Sequence, residues 1–466
     1  LLRKRDRAPA DEAELTTARR AKEKRDYPMR DAGRIAGAIE VLDAVMNRHQ
    51  PVKDALRDWG KAHRFAGSGD RAWMSGLVLD ALRRRGFLRH VMGEDTPRAL
   101  VLGALSYAWG MDATAISATF EGDEHAPDPL TEAEIAGLSN GAPEDTPLHI
   151  LADVPEWLGP SFERAYGADA AAEGQAMAGR APVDLRVNRL KAEPDKAFGA
   201  VSSKIKTIEV SDLTLDGLRI PETDPRAKAP GAESIPAFGK GWVEVQDIGS
   251  QLAALAAGDI KGAQVLDYCA GAGGKTLALS ALMENTGQLY AWDYDGRRLR
   301  AIWPRLQRSG ARNVQVRDGK EAETLGDLEG KLDCVFMDAP CSGSGTWRRR
   351  PDSKWRLKKE AFQRRQSEQD EVLSKAWRFV KPGGRLVYVT CSVLPEENED
   401  RVAAFLEAHP EFTPVPASDA MAQSGRLAEG AQERLKVLEG RFGAIQLTPH
   451  RTGTDGFYVC VMERAK

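Results

Sequence analysis

Residues 331–347 read KLDCVFMDAPCSGSGTW. The largely apolar run from Leu332 to Met337 reads as a buried strand. It closes on Asp338, then Pro340 and Cys341, and then a Gly/Ser-rich turn. A carboxylate, a thiol and pliant backbone are thus set at the carboxyl end of a strand, where open α/β sheets place their ligand sites. A second thiol, Cys391, follows another apolar stretch, RLVYVTCS.

The same pattern repeats around this stretch. QVLDYC reads as a strand ending in Asp267, GQLYAWD in Asp293, NVQVRD in Asp318, and GRLVYVT just before Cys391. Helical stretches at 275–284 and 361–380 lie between them. Strands alternating with helices at this spacing predict a parallel sheet with crossover helices.

Upstream the period changes. Ile35, Ile39, Leu42 and Met46 fall on one helical face, Pro51 breaks that helix, Asp70 suits a helix cap, and Thr131 with Glu134 makes a capping-box pattern. The organisation expected is a charged tail at 1–25, a helical bundle at 26–150, a small α/β module at 151–235 holding VDLRVNRL and IKTIEV, and a larger α/β domain at 236–466. His49, His63 and His90 stand at no ligand spacing, and no metal site is expected.

A chain of 466 residues with 42% hydrophobic and 29% charged residues is ordinary for a globular protein of several domains. It has no apolar run long enough for a membrane span, and LLRKRDRAPADEAEL lacks the apolar centre of a signal peptide. Five unevenly spaced cysteines point to a reducing, cytoplasmic setting with free thiols. Cys334 and Cys460 lie inside strands and read as packing residues. Cys341 and Cys391 stand at strand ends and read as reactive.

DYCAGAGGKT (267–276) follows a strand and opens a helix. Gly271, Gly273 and Gly274 allow a sharp turn and close approach to a ligand. The spacing fits neither a P-loop nor a dinucleotide fingerprint, since residue 276 is Thr. Asp293, at the end of the next strand, suits hydrogen bonds from ribose hydroxyls. Residues 347–366, WRRRPDSKWRLKKEAFQRRQ, carry a net charge of +7 with Trp347 and Trp355 interleaved. Basic residues neutralise phosphates and rings stack on bases, so this run reads as nucleic-acid contact.

DYCAGAGGKT, DAPCSGSGTWRRRPDSKW and LVYVTCSVLPEENE, with VEVQDIGSQL and HRTGTDGFYV, resemble the Nol/Nop/Sun RNA cytosine-5 methyltransferases. The helical part is similar to the NusB-like domain of the family's bacterial small-subunit rRNA members. The resemblance implies a Rossmann-like class I methyltransferase sheet preceded by an all-α NusB-like RNA-binding bundle and a small RNA-binding module. It implies S-adenosylmethionine as donor, with Cys269, Ala270, Gly271, Ala272, Gly273, Gly274 and Lys275 lining its amino-acid and ribose region. Asp293 would hold the ribose, Asp318 would lie by the adenine, and Asp338 near the reacting groups. Cys391 matches the family's nucleophile, and Cys341 the second cysteine that assists release. The family's usual loop, CAAPGGKT, has a proline where this chain has Ala272 in CAGAGGKT. The partner implied is RNA, with rRNA before tRNA; neither an obligate protein partner nor an oligomer is expected. DNA-type chemistry would instead use Cys341, in its Pro-Cys pair, as nucleophile. A binding or assembly factor on the same fold would use neither thiol.

Overall fold

A computed structural model of the chain describes residues 29–224, 226, 231–320 and 324–466, so the expected tail at 1–25 lies outside the described residues. Two units emerge: one contains residues up to Ala142 together with Asp224–Ala229, the other Pro143–Thr223 and Pro230–Lys466.

The first unit is helical. Helix Asp31–Met46 buries Ile35, Ala38, Val41, Leu42 and Val45 against helices Ser68–Arg83 and Pro97–Tyr107, leaving Ile39 and Met46 at the border of its apolar face. Thr96 caps the last of these, accepting from the Ala99 N–H, and Thr131 and Glu134 form the expected capping box. Asp70 acts from inside its helix rather than at the cap position. Its Oδ2 accepts the Gly67 N–H at 2.8 Å and its Oδ1 meets Arg34 at 2.7 Å.

The second unit holds two sheets. Strands β1 (Val183–Val187), β2 (Glu209–Val210), β3 (Gly217–Ile220) and β4 (Val243–Val245) pair antiparallel in the order β2-β3-β1-β4. The fourth strand lies past residue 235, so the small module extends beyond the expected 151–235. Asp184 of β1 explains the attachment. It takes a two-pronged contact from Arg219 at 2.8 and 2.9 Å and also accepts the Ile248 N–H of the following helix.

The large sheet comprises β5 (Gln264–Asp267), β6 (Gln288–Ala291), β7 (Val314–Val316), β8 (Leu332–Asp338), β9 (Val380–Thr390), β10 (Phe412–Val415), β11 (Ile445–Leu447) and β12 (Phe457–Arg464). Its order is β10-β12-β9-β8-β5-β6-β7, with β11 on β12. Strands β5 to β9 run parallel, as the alternation predicts. The last three are antiparallel additions, because β12 turns back along β9. The chain moves outward from β5 to β7, then returns to the other side of β5 as β8. That reversal opens a crevice at the carboxyl ends of β5 and β8. Strand β8 is apolar apart from Asp333 and its closing Asp338, because both its faces are covered: Cys334 and Phe336 enter one core, Leu332, Val335 and Met337 the other. Helices from Leu148 to Met177 add a third core, in which Phe162 and Tyr166 pack with Trp347, Val393 and Leu394.

Three distant segments close on one charge cluster. Arg348 meets Asp455 at 2.6 Å, and Arg349 meets both Asp455 and Asp247, the latter at 2.8 Å. Arg348 and Asp455 are buried, and Arg349 and Asp247 partly so. The cluster ties the turn after β8 to the helix at Ile248–Leu255 and to the start of β12. Removing one partner of a buried pair leaves charge behind in a poor solvent. Asp455→Ala is therefore expected to destabilise the protein by about 3 kcal/mol, read as a lower urea midpoint.

Candidate active site

Strand β5 ends in Asp267, which is wholly buried. Its Oδ2 accepts the Thr276 hydroxyl at 2.6 Å, while Oδ1 has no hydrogen-bond partner among the described residues. Burial pushes its pKa up to about 7; Asp338 and Asp293 add to the rise, and Thr276 and Lys275 oppose it. The loop that follows turns through Gly271 (φ +52°) and Gly273 (φ +84°). A Cβ on Gly273 would stand 2.4 Å from Ile302 Cγ1, so only glycine admits the helix that packs there. Asp293, past the end of β6, accepts the Gly271 N–H at 2.7 Å on Oδ2 and the Asp295 N–H at 2.8 Å on Oδ1. Each oxygen keeps a lone pair for a ligand. Burial raises the Cys269 thiol well above its usual range. Ala272 is exposed at the loop's tip, its carbonyl accepting from Arg305 at 2.9 Å. Asp318 is exposed two residues past β7.

Lys275 joins the two halves of the crevice. Its Nζ donates to Asp338 Oδ2 at 2.6 Å and lies 4.9 Å from the Phe457 ring centroid. Burial alone would lower its pKa, but the Asp338 carboxylate outweighs that and holds the ammonium charged.

The thiols face each other, with Cys341 Sγ 3.2 Å from Cys391 Sγ. Each is half-buried and neither is in a disulfide. The turn bearing Cys341 is clamped by Glu397, which accepts both the N–H and the hydroxyl of Ser342 at 2.6 Å. Gln369 holds the Pro340 carbonyl at 2.9 Å. The Cys391 carbonyl accepts the Gly345 N–H at 2.9 Å. The hydrogen bond with Cys391, burial, and the nearby negative charges of Cys391, Glu397 and Asp338 push the Cys341 thiol well above its usual range. Cys334 and Cys460 are core residues, their thiols pushed up to about 12 by burial.

Residues 255–463 match the family model described as 16S rRNA methyltransferase RsmB/F. A ribosomal RNA small subunit methyltransferase B from Sodalis glossinidius is 31% identical over 82% of this chain and 85% of that one. The chain belongs to the RsmB/F methyltransferase family. The corresponding methyltransferase B of an Enterobacter species is 36% identical over 54% of this chain, a match that spans 58% of the relative's own length. Among solved structures, that of PH0851 is 25% identical, covers 93% of this chain and 99% of its own, and superposes with a TM-score of 0.68.

The donor of an RsmB/F enzyme is S-adenosylmethionine, and the residues present fit it. The Gly271–Gly274 turn presents backbone with no side chain beyond the Ala272 methyl after β5, Asp293 offers acceptors at the next strand end, and Asp267 leaves an unsatisfied oxygen at the loop's start. The structure brings Asp338, Cys341 and Cys391 together, and Lys275 stands with them rather than with the glycine turn alone. Asp318 is not tied to the others by a hydrogen bond among the described residues.

The basic run at 347–366 is only partly available to a ligand. Trp347, Arg348 and Lys354 are buried, and Lys354 donates to the Asp153 carbonyl. Arg350, Arg356, Lys358, Lys359 and Arg364 remain exposed. Sequence reasoning missed Glu397 and the role of Asp267. Glu397 left no signal, because its partner Ser342 is 55 residues away. Asp267 was signalled, as an acid closing a strand like the other site carboxylates.

Between the ordinary carboxylate pKa and about 7, the folded protein binds a proton at Asp267 that the unfolded chain releases. Its contribution to stability thus falls as pH rises through that window and is constant above it. Asp267→Asn removes this dependence. Urea midpoints of wild type and variant are expected to diverge with rising pH, by at most about 1.4 kcal/mol per unit, in the variant's favour.

Proposed function

We propose that the chain methylates C5 of a cytosine in small-subunit ribosomal RNA, with Cys391 as covalent nucleophile and Cys341 as the group that frees it. The observation that supports this most is the pair of thiols 3.2 Å apart beside the Lys275–Asp338 ion pair, at the mouth of a methyltransferase crevice. The relatives' names supply the RNA class.

Cytosine C5 is a poor nucleophile. Addition of the Cys391 thiolate to C6 forms an S–C bond and moves the C5–C6 electron pair to C5, delocalised toward N3. Asp338 accepts from the amino group beside N3 and holds the base edge. S-adenosylmethionine, when bound, supplies a methyl group on a positively charged sulfur. Once C5 is methylated, a solvent base takes the C5 proton, the C5–H electron pair reforms the C5–C6 double bond, and the S–C6 bond breaks to return the thiolate. Cys341, kept a thiol by its surroundings, lies within hydrogen-bond distance of that leaving sulfur. The same environment disfavours Cys341 as the attacking thiolate, which argues against the DNA-type assignment. The target base must be unpaired or flipped out to enter. The helical unit and the small sheet serve as further RNA contacts in this reading.

Wild type, Cys341→Ala and Cys391→Ala are to be incubated with ribosomal RNA and labelled donor, then run on a denaturing gel. Cys341→Ala is expected to accumulate a slow-migrating protein–RNA adduct. Cys391→Ala should form none and lose methylation by orders of magnitude. Full methylation by Cys391→Ala would sink the mechanism.

A further inference from the structure

From Gly296 to Val316 the chain has six arginines and no acidic residue. Two of them turn inward. Arg305 and Arg308 meet the buried Glu244 at 3.3 and 2.5 Å. Arg297, Arg300 and Arg312 are exposed, and among the described residues none forms an ion pair. Exposed arginines elsewhere in the same unit do find acids: Arg164 meets Asp400 at 2.9 Å and Arg434 meets Asp212 at 2.6 Å. Trp303 lies between Arg300 and Arg312 in the sequence, with 57% of its surface exposed. A ribbon of uncompensated positive charge repels itself and raises the local potential, and a polyanion relieves that cost. A large exposed ring beside it gives a base a face to stack on.

The ribbon is continuous with two other features. Helix Ile302–Ser309 packs on the donor loop through Ile302, and Arg305 holds the Ala272 carbonyl. Its far end meets the small sheet, where Asn188 donates to the Ser309 carbonyl at 2.8 Å and the Arg308 guanidinium lies 4.1 Å over Phe238. There Lys196 and Lys240 stand 4.5 and 4.7 Å from the Trp242 ring. The neighbouring acid Glu193 is engaged by Arg189 at 2.7 Å. Basic and aromatic groups therefore run from the lip of the crevice, over this helix, to the small sheet.

We propose that this face, centred on Arg297, Arg300, Trp303 and Arg312, binds single-stranded RNA flanking the target base. The arginines take phosphates and Trp303 stacks on a base. The inference rests on the RNA reading above and locates on the surface the strand that leads into the crevice.

The test uses the full chain and a fluorescein-labelled single-stranded oligoribonucleotide of mixed sequence, with affinity measured by anisotropy over a salt series. The Arg297→Ala/Arg300→Ala/Arg312→Ala variant is expected to flatten the slope of log affinity against log salt by about two, since each phosphate contact on a single strand contributes about 0.7. Trp303→Ala is expected to weaken binding about tenfold with little change in slope. The corresponding triple-lysine variant should keep the wild-type slope. Donor titration of each variant reports an intact fold and is expected to match wild type. Should the alanine triple lose donor binding, the contrast between Trp303→Ala and the triple-lysine variant decides. Unchanged affinity and slope in the alanine triple, or an unaffected Trp303→Ala, would overturn the proposal. Methylation by wild type with unaltered binding by the variants would reject this face alone. Salt-dependent binding that the triple abolishes, with no C5 methylation by wild type, would reject the catalytic reading and leave the face standing.

Discussion

Parallel pairing of β8 with β9 is the constraint on which the site depends. Neighbouring parallel strands finish at the same edge, so the residues that follow them are delivered together, however far apart they are in sequence. Met337 lies opposite Tyr388 and Asp338 opposite Val389, and the chain releases a thiol three residues beyond the first strand's paired end and two beyond the second's. The return of the chain to the near side of β5 sets a third carboxyl end beside these two. The glycine loop and the thiols then share one crevice without any long loop having to reach across it.

What holds the thiols at their separation is polar and local. Glu397 grips Ser342, Gln369 grips the backbone at Pro340, and Asn398 receives the Thr390 hydroxyl while donating to the Ser392 carbonyl. These groups are buried, so losing one partner leaves another unsatisfied. The apolar layers beneath make the strands rigid; the polar clamps fix where their last residues point. Catalytic geometry of this kind needs both, since a packed core by itself does not orient a loop.

Much of this was legible in the chain because its signals are local. An apolar run that ends in an acid marks β5, β6, β7 and β8, and Cys341 and Cys391 declare themselves by standing just past apolar runs. The antiparallel return of β12 was not legible, because FYVCVME is apolar whichever way the strand runs. Lys275 reads as part of a ligand loop, since its partner Asp338 lies 63 residues on. The basic stretch after Trp347 shows the same limit more sharply. Local charge density describes a surface only if no distant acid folds onto it, and Arg348 finds Asp455 from 107 residues away. The arginines of 297–312 attracted no notice because they are interrupted by Leu299, Ile302 and Leu306, the residues that bury one face and leave the rest outside.

Gly345 and Gly456 touch backbone to backbone: the Gly456 N–H donates to the Gly345 carbonyl at 2.8 Å, and a Cβ on Gly345 would fall against the Gly456 carbonyl. The turn carrying Cys341 is therefore shaped partly by a segment that the ribosome makes more than a hundred residues later. Domains assemble from the N-terminal side as they emerge, so the parallel strands and the glycine loop can be in place while this contact is still missing. A growing chain of that length holds both cysteines yet lacks the strand that seats one of them. Competence for chemistry thus arrives late in synthesis, with β12, and a chain cut short before it would own every reactive group and still have no finished site.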